Sequence, residues 1–98
     1  MANMNLKVPI LATGVPQPIS ASLPNSVAPA TYVQQLILQN QGLNNMYVGD
    51  SSTTNSNGLL LGPSGSANAG SFMNYGTYLS DWWVVGTAGD VLFCLYIK

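Results

Sequence analysis

The side chains of this sequence best able to do chemistry are few: Asp50, Asp81 and Asp90, Lys7 and Lys98, and a single cysteine, Cys94. No histidine, arginine or glutamate accompanies them. General acid–base catalysis near neutral pH relies on His, or on a carboxylate or Lys whose pKa has been tuned. Here the three aspartates fall in separate turn or strand-edge positions, where an Asp beside Gly or Ser bonds local backbone donors. A Ser–His–Asp triad and a Cys–His pair are both impossible without His. Zinc needs several Cys or His ligands, and one Cys falls far short. Asp50, Asn55 and Asn57 form the best oxygen cluster for calcium, but calcium sites take about six to eight oxygens, usually with more than one carboxylate. The run Gly62-Pro63-Ser64-Gly65-Ser66-Ala67-Asn68-Ala69-Gly70 is glycine-rich yet lacks the Lys and the helix start of a phosphate loop, so it reads as a long hairpin connection. Cys94 has no partner for an internal disulfide and reads as a small apolar residue of a packed strand. No catalytic, cofactor-binding or metal-binding residue is expected, and the chain is not read as an enzyme.

What remains is composition. Of 98 residues, 47% are hydrophobic and only 5% are charged, against about 25% charged in an average soluble domain. Two lysines at opposite ends of the chain make no basic stripe, so nucleic acid is not an expected partner. The longest apolar run, Val91 to Ile97, has strand length and is far shorter than the roughly 20 residues of a spanning helix; a membrane is not an expected partner either. The start, Met1-Ala2-Asn3-Met4-Asn5-Leu6-Lys7, lacks the basic, apolar and small-residue zones of a secretion signal, which implies synthesis in a cytoplasm. A chain of this size holds one domain with a modest core.

The elements divide near residue 31. Pro9, Pro16, Pro18, Pro24 and Pro29 fall in the first 30 residues, and each fixes φ and removes a donor. The segment 1–30 is therefore expected to be an extended arm, with at best a short edge strand over Ile19 to Leu23. Its recurring Leu6, Val8, Ile10 and Leu11 make it an arm suited to lie on a partner. Residues 31–98 read as short strands between turns: Tyr32 to Gln39, Met46 to Gly49, Gly58 to Leu61, a weaker one within Gly70 to Tyr78, Trp82 to Val85, and Val91 to Ile97. Polar, Gly- and Asn-rich segments separate them. No amphipathic helical period of useful length occurs. The expected fold is all-β, a small antiparallel β-sandwich (jelly-roll-like) or barrel carrying the N-terminal arm.

Side chains alternate faces along a strand, so Val91, Phe93, Leu95 and Ile97 share one face of the last strand and Leu92, Cys94 and Tyr96 the other. Both faces are apolar, as are both faces of Trp82 to Val85. A half-exposed sheet alternates apolar with polar; these strands are sealed on both sides or covered by another subunit. Association is the expectation, with Leu6, Val8, Ile10, Leu11, Trp82, Trp83 and Tyr96 as candidate protein-interface residues.

Four segments carry a resemblance: Leu36-Ile37-Leu38-Gln39-Asn40, Met46-Tyr47-Val48-Gly49, Thr53 to Pro63, and Val85-Gly86-Thr87-Ala88-Gly89-Asp90-Val91. In order and spacing, over roughly residues 32 to 98, they resemble small tailed-phage virion proteins of the capsid decoration, or cement, type. The resemblance implies a virion protein on the capsid surface. Its partners would be the major capsid protein or other virion proteins and further copies of itself, a trimer being favoured, and it has no catalytic motif to contribute. Its Pro63 turn reads Gly62-Pro63-Ser64-Gly65-Ser66, where relatives often have an acidic residue, so no ionic contact is carried over there. The competing reading is a phage tail- or fibre-associated receptor- or carbohydrate-binding module, in which Trp82, Trp83, Tyr75 and Tyr78 stack on sugar rings. Against it, the neighbours Trp82 and Trp83 point to opposite faces of a regular strand.

Overall fold

The computed structural model describes residues 3–65 and 70–98. Its eight strands are β1 (Asn3–Pro9), β2 (Gln17–Pro18), β3 (Tyr32–Asn40), β4 (Met46–Gly49), β5 (Leu59–Leu61), β6 (Ser71–Tyr78), β7 (Trp83–Val85) and β8 (Val91–Ile97). They form two four-stranded antiparallel sheets, ordered β1-β8-β3-β6 and β2-β7-β4-β5. The fold is a small β-sandwich with open sheets, so the barrel alternative does not hold. The pairing is nested: first strand with last, second with seventh, third with sixth, fourth with fifth. Residues 66–69, within the connection expected over 62–70, lie outside the described residues.

The core lies between the sheets. Leu6 and Val8 of β1, Leu36 and Leu38 of β3, and Leu92, Cys94 and Tyr96 of β8 face Met46 and Val48 of β4, Leu61 of β5 and Val84 of β7. This is period-two alternation at work. In β8 the even-numbered residues are buried and the odd-numbered ones half-buried on the outer side. β3 and β6 switch faces together partway along. Leu36 and Leu38 point inward, but beyond Gln34 it is Val33 that is buried, opposite buried Thr77. Gly76, at φ +64°, sits at the switch, and a Cβ there would meet the Tyr32 hydroxyl at 2.7 Å. Glycine is needed both for the backbone angle and for the close approach.

The first 30 residues are not a free arm. β1 pairs with β8 over seven residues, from Asn3 opposite Ile97 to Pro9 opposite Val91, and β2 joins β7 in the other sheet. Proline is compatible with this because both strands are edges, where a missing N–H costs no ladder bond. Between them, the Gln17 side chain accepts the Leu11 N–H (2.9 Å) and donates to the Pro9 carbonyl (3.0 Å). The edge strand expected over Ile19 to Leu23 is instead a 3-10 turn, Ile19–Ser22, closed by the Leu23 N–H on the Ser20 carbonyl, with Ile19 buried. Segment 3–30 thus staples both sheets of the same domain.

A buried amide ties the sheets at one end. Asn40, 3% exposed at the end of β3, donates to the Leu61 carbonyl (2.9 Å) and the Asn44 carbonyl (2.8 Å) and accepts from the Gly42 N–H (2.7 Å).

Candidate protein-interaction surface

The outer faces of the two sheets differ. On the β2-β7-β4-β5 sheet, Val85 is only 2% exposed, although it faces outward beside Tyr47. The chain's own loops close in here: the Gly14 N–H donates to the Gly86 carbonyl (3.0 Å). The 50–58 loop folds back onto β4, so that a Cβ on Gly49 would meet the Thr53 hydroxyl at 2.5 Å.

The outer face of the β1-β8-β3-β6 sheet has an apolar centre. The register aligns Leu95, Ile37 and Met73 in one cross-strand row, with Phe93 on one side and Ile97 and Tyr75 on the other. Met73 is 47% and Tyr75 70% exposed; the rest are half-buried against one another. Around this centre stand Asn5, Lys7, Gln39 and Ser71, while Gln35 lies within it between Ile97 and Tyr75. The Gln35 amide donates to the Met73 sulfur (3.0 Å), spanning β3 and β6. An apolar centre free of charge, ringed by polar side chains, has the anatomy of a protein–protein contact. Lys7 at the margin is its one formal charge. The alternative posed by the two-sided apolar strands resolves strand by strand: one face of β8 is core, and the other is an open surface.

The candidate interface residues fall in four places. Leu6, Val8, Ile10 and Tyr96 are in the chain's own core. Leu11 is 74% exposed in the turn after β1. Trp82 is half-buried and packs against the core from its border: its ring lies 5.2 Å from that of Phe72, and its indole N–H donates to the Thr77 hydroxyl (3.0 Å). Trp83, opposite Gly49 and Pro18, is half-buried on the other sheet. These residues therefore do not converge on one surface. Phe93, Leu95, Ile97, Ile37, Met73 and Tyr75 do, and sequence reasoning left them out, although the alternation of β8 had already grouped three of them.

The polar groups are engaged locally. Asp50 accepts from the N–H and hydroxyl of Ser52 (2.9 and 2.6 Å), which hold its carboxyl below the usual carboxylate range. Asn57 spends its amide on Thr54 and on the Ser52 carbonyl, so the Asp50 and Asn57 side chains serve turns. Asp90 accepts from the backbone and side chain of Asn44, both at 3.1 Å, tying two loops together. Burial pushes the Cys94 thiol up to about 12. Among the described residues no three His, Cys, Asp or Glu side chains gather as a metal cluster, and no helix is long and apolar enough to cross a membrane. An uncharged cleft of about 220 Å³ lies beside Tyr47, Asn44, Asn45, Asn55, Thr13 and Thr87. Comparison with protein-family models, with curated proteins and with solved structures gives no match.

Proposed function

We propose that this is a structural virion protein of the capsid decoration type, which binds neighbouring capsid subunits by packing rather than by chemistry. The observation that carries this reading is the uncharged apolar centre on the outer face of the β1-β8-β3-β6 sheet. A protein with 5% charged residues and such a face gains by covering it, since apolar burial is worth about 25 cal/mol per Å². The nested strand pairing supports the same reading. Eight strands paired first with last and inward to a central hairpin are the winding of a jelly roll, an architecture shared by viral capsid and lectin domains. Fold likeness alone is analogy; the face supplies the site.

The lectin side of that analogy supports a second reading, a receptor- or carbohydrate-binding module. Its best site is the uncharged cleft at Tyr47, whose ring, amides and hydroxyls suit a neutral sugar. The Trp82 ring, packed against Phe72, is a poor platform for one.

Copy number decides between the two. Quantitative mass spectrometry of purified particles should give copies in fixed proportion to the major shell subunit. A handful of copies per particle, or none, would remove the capsid reading.

A further inference from the structure

Each sheet has two edges, and three of these four edges are closed to further pairing. β1 carries Lys7 and Pro9, both exposed, and Gln17 bonds the Pro9 carbonyl and the Leu11 N–H that a neighbouring strand would otherwise take. β2 has only two residues, one of them Pro18, and β5 has three. Charge, proline and shortness are the devices by which sheets avoid edge-to-edge association. β6 has none of them. It runs eight residues as Ser71-Phe72-Met73-Asn74-Tyr75-Gly76-Thr77-Tyr78, without charge or proline, and among the described residues it pairs only with β3.

The hydrogen-bond phase shows which groups it offers. The Asn40 N–H donates to the Gly70 carbonyl (3.3 Å), so in this half of β6 the even-numbered residues bond inward to β3. Ser71, Met73 and Tyr75 then turn their N–H and C=O toward the open side. The Asn74 side-chain oxygen takes the Tyr75 N–H at 2.8 Å, as expected of a donor facing away from β3. The N–H groups of Ser71 and Met73 remain on the open side.

We infer that the β6 edge is a strand-pairing site for a second copy of this chain, joined antiparallel about a two-fold axis near Asn74. Self-pairing suits it because nothing on the strand repels its own image. With the axis at Asn74, Met73 of each copy lies opposite Tyr75 of the other, a sulfur–aromatic contact made twice, and the Tyr75 N–H passes from the Asn74 side chain to the Met73 carbonyl of the other copy. The exposed areas of Met73, Tyr75 and Tyr78 come to on the order of 400 Å² per copy, about 800 Å² in all, which is the small, weak class of interface. Association is therefore expected at high micromolar concentration. The two sheets would continue as one of eight strands, carrying the apolar outer face across the junction. This rests on the packing reading above, and it sets the number at two, where the resemblance implied three.

The test is amide hydrogen exchange on the full chain at about 5 and about 500 µM, with sedimentation at both, so that local protection is read directly. The Met73 amide should exchange at least about tenfold more slowly at the higher concentration, where sedimentation reports the dimer, whereas Ser71, opposite Thr77 whose groups turn to β3 beyond the switch, should not. Met73→Pro removes an outward N–H without touching the β3 ladder, and it should stay monomeric with an unchanged far-ultraviolet spectrum. Met73→Lys, which keeps the backbone, should weaken the dimer at least tenfold if the proline variant misfolds. Association with no protection of Met73 would overturn the inference but leave the packing reading intact, the copies then meeting through the outer face. A monomer at about 500 µM would overturn it too, as would protection of the Met73 amide only on intact particles, since another protein's strand would then be the occupant.

Discussion

Removing residues 1–10 tests whether this segment is a staple or an attachment. The deletion takes away Leu6, Val8 and Ile10, which are 7%, 0% and 3% exposed. Burying an aliphatic side chain of this kind contributes about 1.5–3 kcal/mol, so the three together contribute roughly 5–9 kcal/mol. The loss also strips β8 of its ladder with β1 over seven residues, leaving it paired to β3 alone, and uncovers Leu92, Cys94 and Tyr96. A domain of this size is stable by about 5–15 kcal/mol, so the truncated protein should be unfolded or nearly so at room temperature. Near-ultraviolet circular dichroism and a dispersed proton–nitrogen spectrum would report it. A graded version is Ile10→Ala, which should cost about 2–5 kcal/mol. At about 4–8 °C of melting temperature per kcal/mol, the drop should be large and easily measured. If the truncated chain melts cooperatively within a few degrees of the full one, the staple argument is wrong and the segment is an appendage after all.

Three other outcomes follow from specific contacts. Trp82→Ala should cost about 3 kcal/mol, since it removes a ring packed on Phe72 and the core, while Trp83→Ala on the outer side should cost about 1 kcal/mol; equal losses in chemical denaturation would contradict this assignment. Asn40→Ala leaves the Leu61 and Asn44 carbonyls and the Gly42 N–H without their partner and should cost about 3 kcal/mol, against almost nothing for Asn45→Ala as a control. The Cys94 thiol, raised by burial from 9.0 to about 12, is protonated more readily in the folded chain than in the unfolded one. Its contribution is thus fully present below pH 9 and declines as pH rises from there toward 12, by at most about 1.4 kcal/mol per pH unit. Denaturation midpoints should fall over that window, and less so in Cys94→Ala; an identical slope in the variant would refute the assignment.

Much of the sandwich was legible because its strands are short apolar runs between Gly- and Asn-rich turns. β3, β4, β5, β7 and β8 lie within a residue or so of where alternation and turn chemistry put them. The N-terminal segment was misread because its prolines were weighed as breakers of structure, when their relevant property is tolerance of a sheet edge. The correcting signal was present in the alternation of Leu6, Val8 and Ile10 with Asn5, Lys7 and Pro9. The surface was half legible. An all-apolar run such as Val91 to Ile97 does not say which parity faces the core, and Tyr96 went inward while Phe93 stayed out because β3 and β1 on either side set the phase. The face switch at Gly76 lay beyond reach, since it depends on two strands turning together.

The nesting of the strands also has a consequence in time. β1 is made first, yet its partner β8 follows roughly eighty residues later, and β2 and β3 wait in turn for β7 and β6, so contact order is high and folding correspondingly slow. Among the described residues only the β4–β5 hairpin pairs neighbouring strands of the chain. A ribosome-bound chain therefore carries its apolar first strand unpaired until β8 has been made, which makes this small domain dependent on slow, late closure and prone to aggregate when synthesis stalls between the two.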